Sequence, residues 1–311
     1  MKKQEAAFSH VFVFPGFLRG DRVMKAGITG LPFSGKTTLF SALTGQKYDQ
    51  LAHHRDVHMG SVKVPDHRLE VLSAMFQPKK TVNAVIEYFD VVGQASGKEH
   101  EMDPKALQAL KNADALLAVL DGFGDNANPG RDFAAISEEL VFNDLVLATN
   151  RIERLVRELR SGKSDEKLAE KSLLERCAAH LEGGGRLSDF AMEPDEEKTS
   201  RGFQFLTRKP LIALVNIHEN VISQGGAAAV EEKFKAAHSI PCAAICAEVE
   251  MEIASLDTAE ERAEFLTSMG IGEPATDRLI RLCYQSMGLI SFLTVGEDEV
   301  RAWTVRSGAT A

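Results

Sequence analysis

A glycine-rich stretch near residue 30 constrains this chain more than any other feature. Residues 30–37 read GLPFSGKT, which is the spacing G-x-x-x-x-G-K-[ST] of a phosphate-binding loop. An apolar segment at residues 25–29 precedes the loop, and residues 37–44 continue as an amphipathic helix. Strand, loop and helix in this order direct successive backbone N–H groups and a helix N-terminus at one anion. The sequence therefore predicts a nucleotide site.

The loop pattern assigns roles to individual residues. Lys36 is predicted to reach the β- and γ-phosphates, in binding and in catalysis, and the Thr37 hydroxyl is predicted to coordinate Mg²⁺. The remaining loop positions are predicted to surround the phosphates: Leu31, Pro32, Phe33, Ser34, Gly35 and Thr38.

A second motif, Asp90-Val91-Val92-Gly93, follows the apolar run at residues 81–89. A carboxylate at a strand end can hold Mg²⁺ directly or through water, while the Gly93 N–H can contact the γ-phosphate. A phosphate loop followed by a strand-end D-x-x-G predicts a switch-type nucleoside triphosphatase, with Asp90 as the second metal ligand beside Thr37. Taken alone, Asp90 could instead cap a helix or turn.

Apolar runs alternate with helical stretches along most of the chain. Further strand-like runs lie at residues 115–120, 210–215 and 240–246. This alternation predicts an α/β fold with a parallel-rich sheet that helices cover on both faces.

Two segments differ from this pattern. Residues 145–159 and 174–181 have apolar positions at helical spacing and are separated by a short polar break, which predicts an antiparallel helical hairpin. The alternative is a pair of amphipathic helices lying flat on the sheet. Near the C-terminus, residues 290–295 and 300–305 predict a β-hairpin, which must pack on a larger unit because an isolated hairpin is marginally stable.

Composition excludes several classes of protein. The chain has 311 residues, a net charge of −9 and 44% hydrophobic residues, so broad nucleic-acid binding is disfavoured and we expect no DNA partner. No apolar run is long enough to span a membrane, and residues 11–14 are too short for an export signal. The four cysteines lack the spacing of a zinc site. We expect a cytoplasmic monomer with reduced thiols and no membrane association.

The residues after the fourth strand bear on the choice of base. GTPases place Asn-Lys-x-Asp there, and the aspartate accepts two hydrogen bonds from guanine. This chain reads Asn216-Ile217-His218-Glu219. Adenine N1 is an acceptor, so a carboxylate gains less from it, whereas Asn216 can read adenine N6 and N7. We predict ATP in preference to GTP, with these residues around the base: Asn216, Ile217, Glu219 and Ala247.

Several of these stretches together resemble the YchF family of P-loop nucleoside triphosphatases, also called Obg-like ATPases. The resemblance spans roughly residues 24–311 and includes GITGLPFSGKTTLFSALTG, VKVPDHRLEVL, DVVG, NIHE, EIASLDTAEERAEFL and, most specifically, RAWTVRSGATA. It implies a Ras-like NTPase domain, an inserted helical coiled coil and a C-terminal TGS domain. It also implies slow hydrolysis of ATP in preference to GTP, and a link to the ribosome and to translation or stress responses.

The resemblance also divides the chain into segments. Residues 1–23 form an N-terminal extension. The alternative is that translation of the natural protein starts at Met24. Residues 24–137 and 205–285 form the NTPase domain, and residues 138–204 form the helical insertion. Residues 286–311 begin the TGS domain. We expect the chain to stop within the first hairpin of that domain.

Several stretches of the chain depart from the family pattern. Phe33-Ser34 replaces Asn-Val in the phosphate loop, so we expect no stimulation by potassium. His54 stands where the family has a Mg²⁺-binding threonine, and residues 51–58 contain no hydroxyl side chain. Residues 114–120 lack the catalytic histidine of the family. Gln94, directly after DVVG, is then the visible candidate for orienting water, unless it is an ordinary polar loop residue.

These features predict a Mg²⁺-dependent, ATP-preferring P-loop NTPase that acts as a slow nucleotide switch. One alternative is a binding module that senses ATP without hydrolysing it and presents the helical hairpin to a partner. Another is a GTPase, although Glu219 argues against it.

Overall fold

The structure, a computed structural model, describes residues 23–47, 57–90, 103–162 and 164–308. Its strands are β1 (Met24–Gly30), β2 (His58–Lys63), β3 (Lys80–Val82), β4 (Val85–Asp90), β5 (Ala115–Gly122), β6 (Leu211–Ile217), β7 (Cys242–Ile245), β8 (Leu289–Val295) and β9 (Glu299–Arg306).

The helices of the described ranges are α1 (Lys36–Thr44), α2 (His67–Phe76), α3 (Pro104–Asn112), α4 (Pro129–Ser161), α5 (Asp165–Glu182), α6 (Pro194–Arg201), α7 (Glu219–Ser223), α8 (Ala227–His238), α9 (Ala247–Ser255), α10 (Ala259–Ser268) and α11 (Ala275–Ser286). No helix in these ranges is long and apolar enough to cross a bilayer.

The main sheet has the strand order β2-β4-β1-β5-β6-β7 in the described part of the chain. In this spatial order, each pair of neighbours among β4, β1, β5, β6 and β7 is parallel. The edge strand β2 pairs antiparallel with β4. The predicted parallel-rich α/β fold is confirmed. The carboxyl ends of the parallel strands meet at one edge, which is where open α/β sheets place their ligands.

Apolar residues of the central strands are buried on both faces of this sheet. In β5, Ala115, Leu117 and Val119 belong to one core cluster with α1 and α11. Leu116, Ala118 and Leu120 belong to a second cluster, with α3, α4 and α8 on the other face. This explains why the strand reads as an unbroken apolar run: every position faces a layer of helices.

The helix α4 contributes to two cores. Its first part packs on the sheet through Phe133, Ile136 and Leu140, and its later part packs on α5 in a separate cluster that includes Ala148 and Leu155. The predicted helical hairpin is therefore confirmed, and its two helices pack on one another. The domain boundary expected at residues 137–138 falls inside this continuous helix, and the division into domains stays a proposal.

The prediction of a single strand at residues 81–89 is wrong. This apolar run forms two strands in two sheets: β4 lies in the main sheet, and β3 pairs in parallel with β9 in a three-stranded sheet of order β3-β9-β8. The C-terminal hairpin is thus extended by a strand from the middle of the chain. Its residues Leu289, Val300 and Ala302 are buried in the main core, as the marginal stability of an isolated hairpin required.

Two groups of buried polar or weakly polar side chains complete the interior. All four cysteines are buried and free in the structure. Asp144 of α4 is fully buried and accepts hydrogen bonds from the backbone N–H of Leu206 at 2.9 Å, the backbone N–H of Thr207 at 2.8 Å and the Thr207 hydroxyl at 2.7 Å. This carboxylate fastens the chain returning from α6 to α4.

Replacing Asp144 by alanine is expected to destabilise the protein strongly. The variant leaves two buried backbone N–H groups and a hydroxyl without an acceptor, which should lower the free energy of unfolding by about 2–4 kcal/mol. Chemical denaturation measures the change. Glu166→Ala, an exposed substitution in the first turn of α5, is the matched control and should stay within about 0.5 kcal/mol of the parent protein. Equal midpoints for the two variants would contradict the fastening role.

Candidate functional site

The phosphate-loop sequence folds into a tight turn between β1 and α1. Gly35 adopts a left-handed conformation, φ 91°, immediately before α1. Glycine is needed here for a second reason, because a Cβ would lie 2.2 Å from Nδ2 of Asn216. Phe33 also has a positive φ, 65°, which is uncommon for a bulky residue, and its side chain is 95% exposed. The turn has the strand and helix on its two sides that the motif requires.

Lys36, the first residue of α1, folds its side chain back over the loop. Nζ donates hydrogen bonds to the carbonyl oxygens of Gly30 at 3.0 Å and Leu31 at 2.7 Å. Burial lowers the pKa of this ammonium group, and the negative charge of Asp90 opposes that shift. The loop carbonyls thus hold a cation in place beside the positions predicted to receive phosphates.

Thr37 and Asp90 meet where α1 crosses the end of β4. The Thr37 hydroxyl donates a hydrogen bond to Asp90 Oδ2 at 3.0 Å, so the two predicted metal ligands are in contact. Asp90 is fully buried, and its Oδ1 has no hydrogen-bond partner among the described residues. Burial raises the pKa of this carboxyl, while the Thr37 hydrogen bond and the charge of Lys36 act to lower it.

The donors at this point fit a Mg²⁺ ion that binds together with nucleotide phosphates. Magnesium prefers oxygen ligands and takes only one or two carboxylates from the protein, keeping water and phosphate oxygens for its other positions. The Thr37 hydroxyl beside a buried carboxylate with one unpartnered oxygen meets this need. Within the described ranges, no group of three or more His, Cys, Asp or Glu side chains could hold a metal ion alone.

Asn216, near the end of β6, joins two loops at the carboxyl edge of the sheet. Its Nδ2 donates a hydrogen bond to the Ser34 carbonyl oxygen at 3.1 Å, and its Oδ1 accepts one from the backbone N–H of Ala247, also at 3.1 Å. The amide is buried and holds the phosphate loop against the start of α9. A primary amide keeps one further hydrogen-bonding position at each end, so base reading by Asn216 stays a prediction.

An open cleft of about 540 Å³ adjoins these groups. Most residues predicted to contact the nucleotide line it: Pro32, Phe33, Gly35, Lys36, Thr37, Thr38, Asn216, Ile217 and Ala247. The fold therefore brings together three segments that are far apart in sequence.

Other predicted site residues of the described ranges do not line the cleft. Leu31 packs against the core, although its carbonyl oxygen contacts Lys36. Ser34 is buried, and its hydroxyl has no partner in the part of the chain described. Glu219 is exposed at the start of α7 and does not line the cleft. Gly93, Gln94 and His54 fall outside the described residues.

Several cleft-lining residues had not been assigned to the site from sequence: Phe123, His218, Cys246 and Glu248. Phe123 follows β5 in a turn fixed by Asp121, whose Oδ1 accepts hydrogen bonds from the backbone N–H groups of Phe123 and Gly124, both at 3.0 Å. The ring is 42% exposed at the cleft wall. An aromatic residue directly after a buried strand was the available signal, because ligands bind at the carboxyl ends of such strands.

Comparison with known proteins identifies the family. Residues 25–151 match a protein family described as 50S ribosome-binding GTPase. The ribosome-binding ATPase YchF of Haemophilus ducreyi is 33% identical over 300 residues, covering 92% of this chain and 82% of the relative. The chain belongs to the YchF family. The resemblance inferred from its motifs is confirmed.

Other YchF proteins support the same assignment. The ribosome-binding ATPase YchF of Bacillus subtilis is 32% identical over 305 residues, covering 93% of this chain and 82% of the relative. The solved structure of the Schizosaccharomyces pombe YchF GTPase has a TM-score of 0.79 and 26% identity, covering 94% of this chain and 82% of that one. The likeness thus extends over more than nine-tenths of this chain.

Replacing Asp90 by asparagine is expected to stabilise the protein in the absence of nucleotide. The variant keeps an acceptor for Thr37 and removes a buried negative charge. Since burial raises the pKa of Asp90 above its usual 3.8, stability is lost as the pH rises from about that value through the folded-state pKa. The thermal midpoint of Asp90→Asn should therefore exceed that of the parent near neutral pH, by about 2–4 °C for each kcal/mol recovered, and the gap should close towards about pH 4.

Asp66→Asn provides a control of opposite sign. Arg68 holds the pKa of the Asp66 carboxyl below its usual range through a side-chain hydrogen bond. Loss of that charge should lower the midpoint near neutral pH, with a difference that vanishes as the pH falls. A midpoint for Asp90→Asn at or below that of the parent at neutral pH would contradict the destabilising effect of the buried Asp90 charge.

Proposed function

We propose that this chain is a Mg²⁺-dependent, ATP-preferring P-loop nucleoside triphosphatase that works as a slow nucleotide switch on the ribosome. The observation that carries the proposal is the contact of Thr37 with the buried Asp90 beside a cleft lined by the phosphate loop. The names of the relatives, ribosome-binding ATPase YchF, support ATP as the substrate and the ribosome as the partner.

The phosphates would be bound by the loop backbone and by Lys36. Gly35 allows the loop to close over Asn216 without a side chain in the way, and Lys36 adds a fixed positive charge. Such preorganised donors stabilise the charge that develops on the phosphoryl oxygens during transfer. Thr37 and Asp90 would hold Mg²⁺, which supplies Lewis-acid chemistry at the phosphates when bound.

The base would lie at the other end of the cleft, against Ile217, Ala247 and the exposed ring of Phe123. An aromatic ring at this position can stack on a purine. ATP preference follows from the replacement of the guanine-reading aspartate by Glu219, which is exposed and does not line the cleft. Asn216, which already braces the loop, would contact the base with its remaining hydrogen-bonding positions.

Hydrolysis requires a group that orients the attacking water. We assign this role to Gln94, directly after the DVVG motif, as the counterpart of the water-positioning glutamine of other nucleotide switches. A GTPase is the second candidate function, because the matching family is described as a GTPase and the solved fission-yeast relative carries that title.

Parallel calorimetric titration of ATP and GTP in the presence of Mg²⁺ tests the choice of nucleotide. We expect tighter binding of ATP. Lys36→Ala should weaken it by roughly 10- to 100-fold, because a charged hydrogen bond contributes about 1.5–3 kcal/mol. Lys63→Ala, exposed on β2, is the matched control and should bind as the parent does. Tighter binding of GTP would overturn the ATP preference, and unchanged affinity in Lys36→Ala would overturn the site.

Phosphate release from the bound nucleotide distinguishes an enzyme from a sensor. Slow Mg²⁺-dependent release that falls by about 10²-fold or more in Gln94→Ala would support the proposed role of that residue. Tight binding with no release from the parent protein would show that the chain senses ATP without hydrolysing it.

A further inference from the structure

His58 lies beside the proposed metal site and has no role in the function proposed above. It begins β2, and in the antiparallel pairing of β2 with β4 its Cα is directly opposite that of Asp90. Directly opposed residues of an antiparallel pair project from the same face of the sheet, with Cβ atoms about 4.5–5.5 Å apart. The imidazole of His58 and the carboxylate of Asp90 are therefore neighbours on the face that α1 covers.

The helix α1 fixes the position of the imidazole from the other side. Phe40 is fully buried and lies almost one turn after Thr37 in α1. Its ring centroid is 6.1 Å from that of His58, with the two rings tilted by 39°. His58 is thus held between the ring of Phe40 and the strand that carries Asp90.

Among the described residues, two buried polar atoms at this place lack a hydrogen-bond partner. Nε2 of His58 is buried and makes no hydrogen bond within the described ranges, and the same holds for Oδ1 of Asp90. Buried polar groups are normally hydrogen-bonded, so two such atoms on directly opposed residues point to a polar species that both would contact.

We propose that Nε2 of His58 accepts a hydrogen bond from a water molecule in the hydration shell of the divalent cation that the site holds with the nucleotide. Magnesium keeps several of its waters when it binds to proteins, and the neutral imidazole offers an acceptor for one of them. His58 is then a positioning residue for the metal. This inference rests on the proposed function, since it requires the cation to bind with the nucleotide phosphates.

A side chain that hydrogen-bonds to a ligand of a metal ion, without binding the ion itself, has a measurable effect on the affinity for the metal. Loss of such a side chain typically weakens metal binding by about 10- to 100-fold. If His58 only packed against Phe40, removal of its nitrogen atoms would leave metal binding unchanged. His58→Phe separates the two roles because it keeps an aromatic ring beside Phe40. His58→Gln restores a polar atom near the position of Nε2.

The experiment compares the affinity for ATP in excess Mg²⁺ with that in EDTA. The ratio of the two affinities isolates the contribution of the metal, and the value in EDTA reports whether the cleft is intact. We expect His58→Phe to reduce this ratio by about tenfold with little change in EDTA, and His58→Gln to recover most of it. His67→Phe, an exposed histidine of α2, is the control and should match the parent.

The remaining outcomes would overturn the inference in distinguishable ways. An unchanged ratio in His58→Phe, with ATP still bound by the parent, would leave His58 as a packing residue and the proposed function intact. Equal losses with and without Mg²⁺ would show that His58 shapes the cleft and does not act on the metal. A parent protein that binds no ATP in either condition would overturn the proposed function together with this inference.

Discussion

The bridge made by the Asn216 side chain is the interaction on which the site depends. One amide joins the phosphate loop, through the Ser34 carbonyl, to the start of α9, through the Ala247 N–H. The loop can approach this closely only because Gly35 has no side chain. The bridge therefore couples the part of the cleft that would bind phosphates to the part that would bind the base, and it does so with buried hydrogen bonds, which are less exposed to competing water.

The fold provides this bridge by burying its central strands on both faces. The carboxyl ends of these parallel strands lie at one edge of the sheet. Residues at the ends of β1, β4, β5, β6 and β7 therefore converge there. A fully buried Asp90 is an unfavourable element of such a core. Its position, in contact with Thr37 and opposite His58, is consistent with a charge kept for a cation at some loss of stability.

The sequence alone predicted the phosphate loop, the parallel-rich sheet and the helical hairpin, because each has a strong local signal: a glycine spacing, an unbroken apolar run or a helical period. Pairings between distant segments left no such signal. The pairing of β3 with β9 can be recognised only from the tertiary fold. The sequence did not reveal β2, because this strand alternates between half-buried and exposed positions and most of its residues are polar. For the same reason the sequence assigned Asn216 to the base without revealing its hydrogen bonds to the protein, and gave no role to Phe123.

The most direct test of this account is nucleotide binding by Asn216→Ala, with the exposed Asn220→Ala as the matched control. If the amide chiefly braces the cleft, loss of the bridge should weaken ATP and GTP to a similar extent, by at least about tenfold, because the Ser34 carbonyl and the Ala247 N–H lose their partner. Asn220→Ala should bind as the parent does. A selective loss of ATP would show that Asn216 chiefly reads the base, and unchanged affinity for both nucleotides would contradict the central role of the bridge.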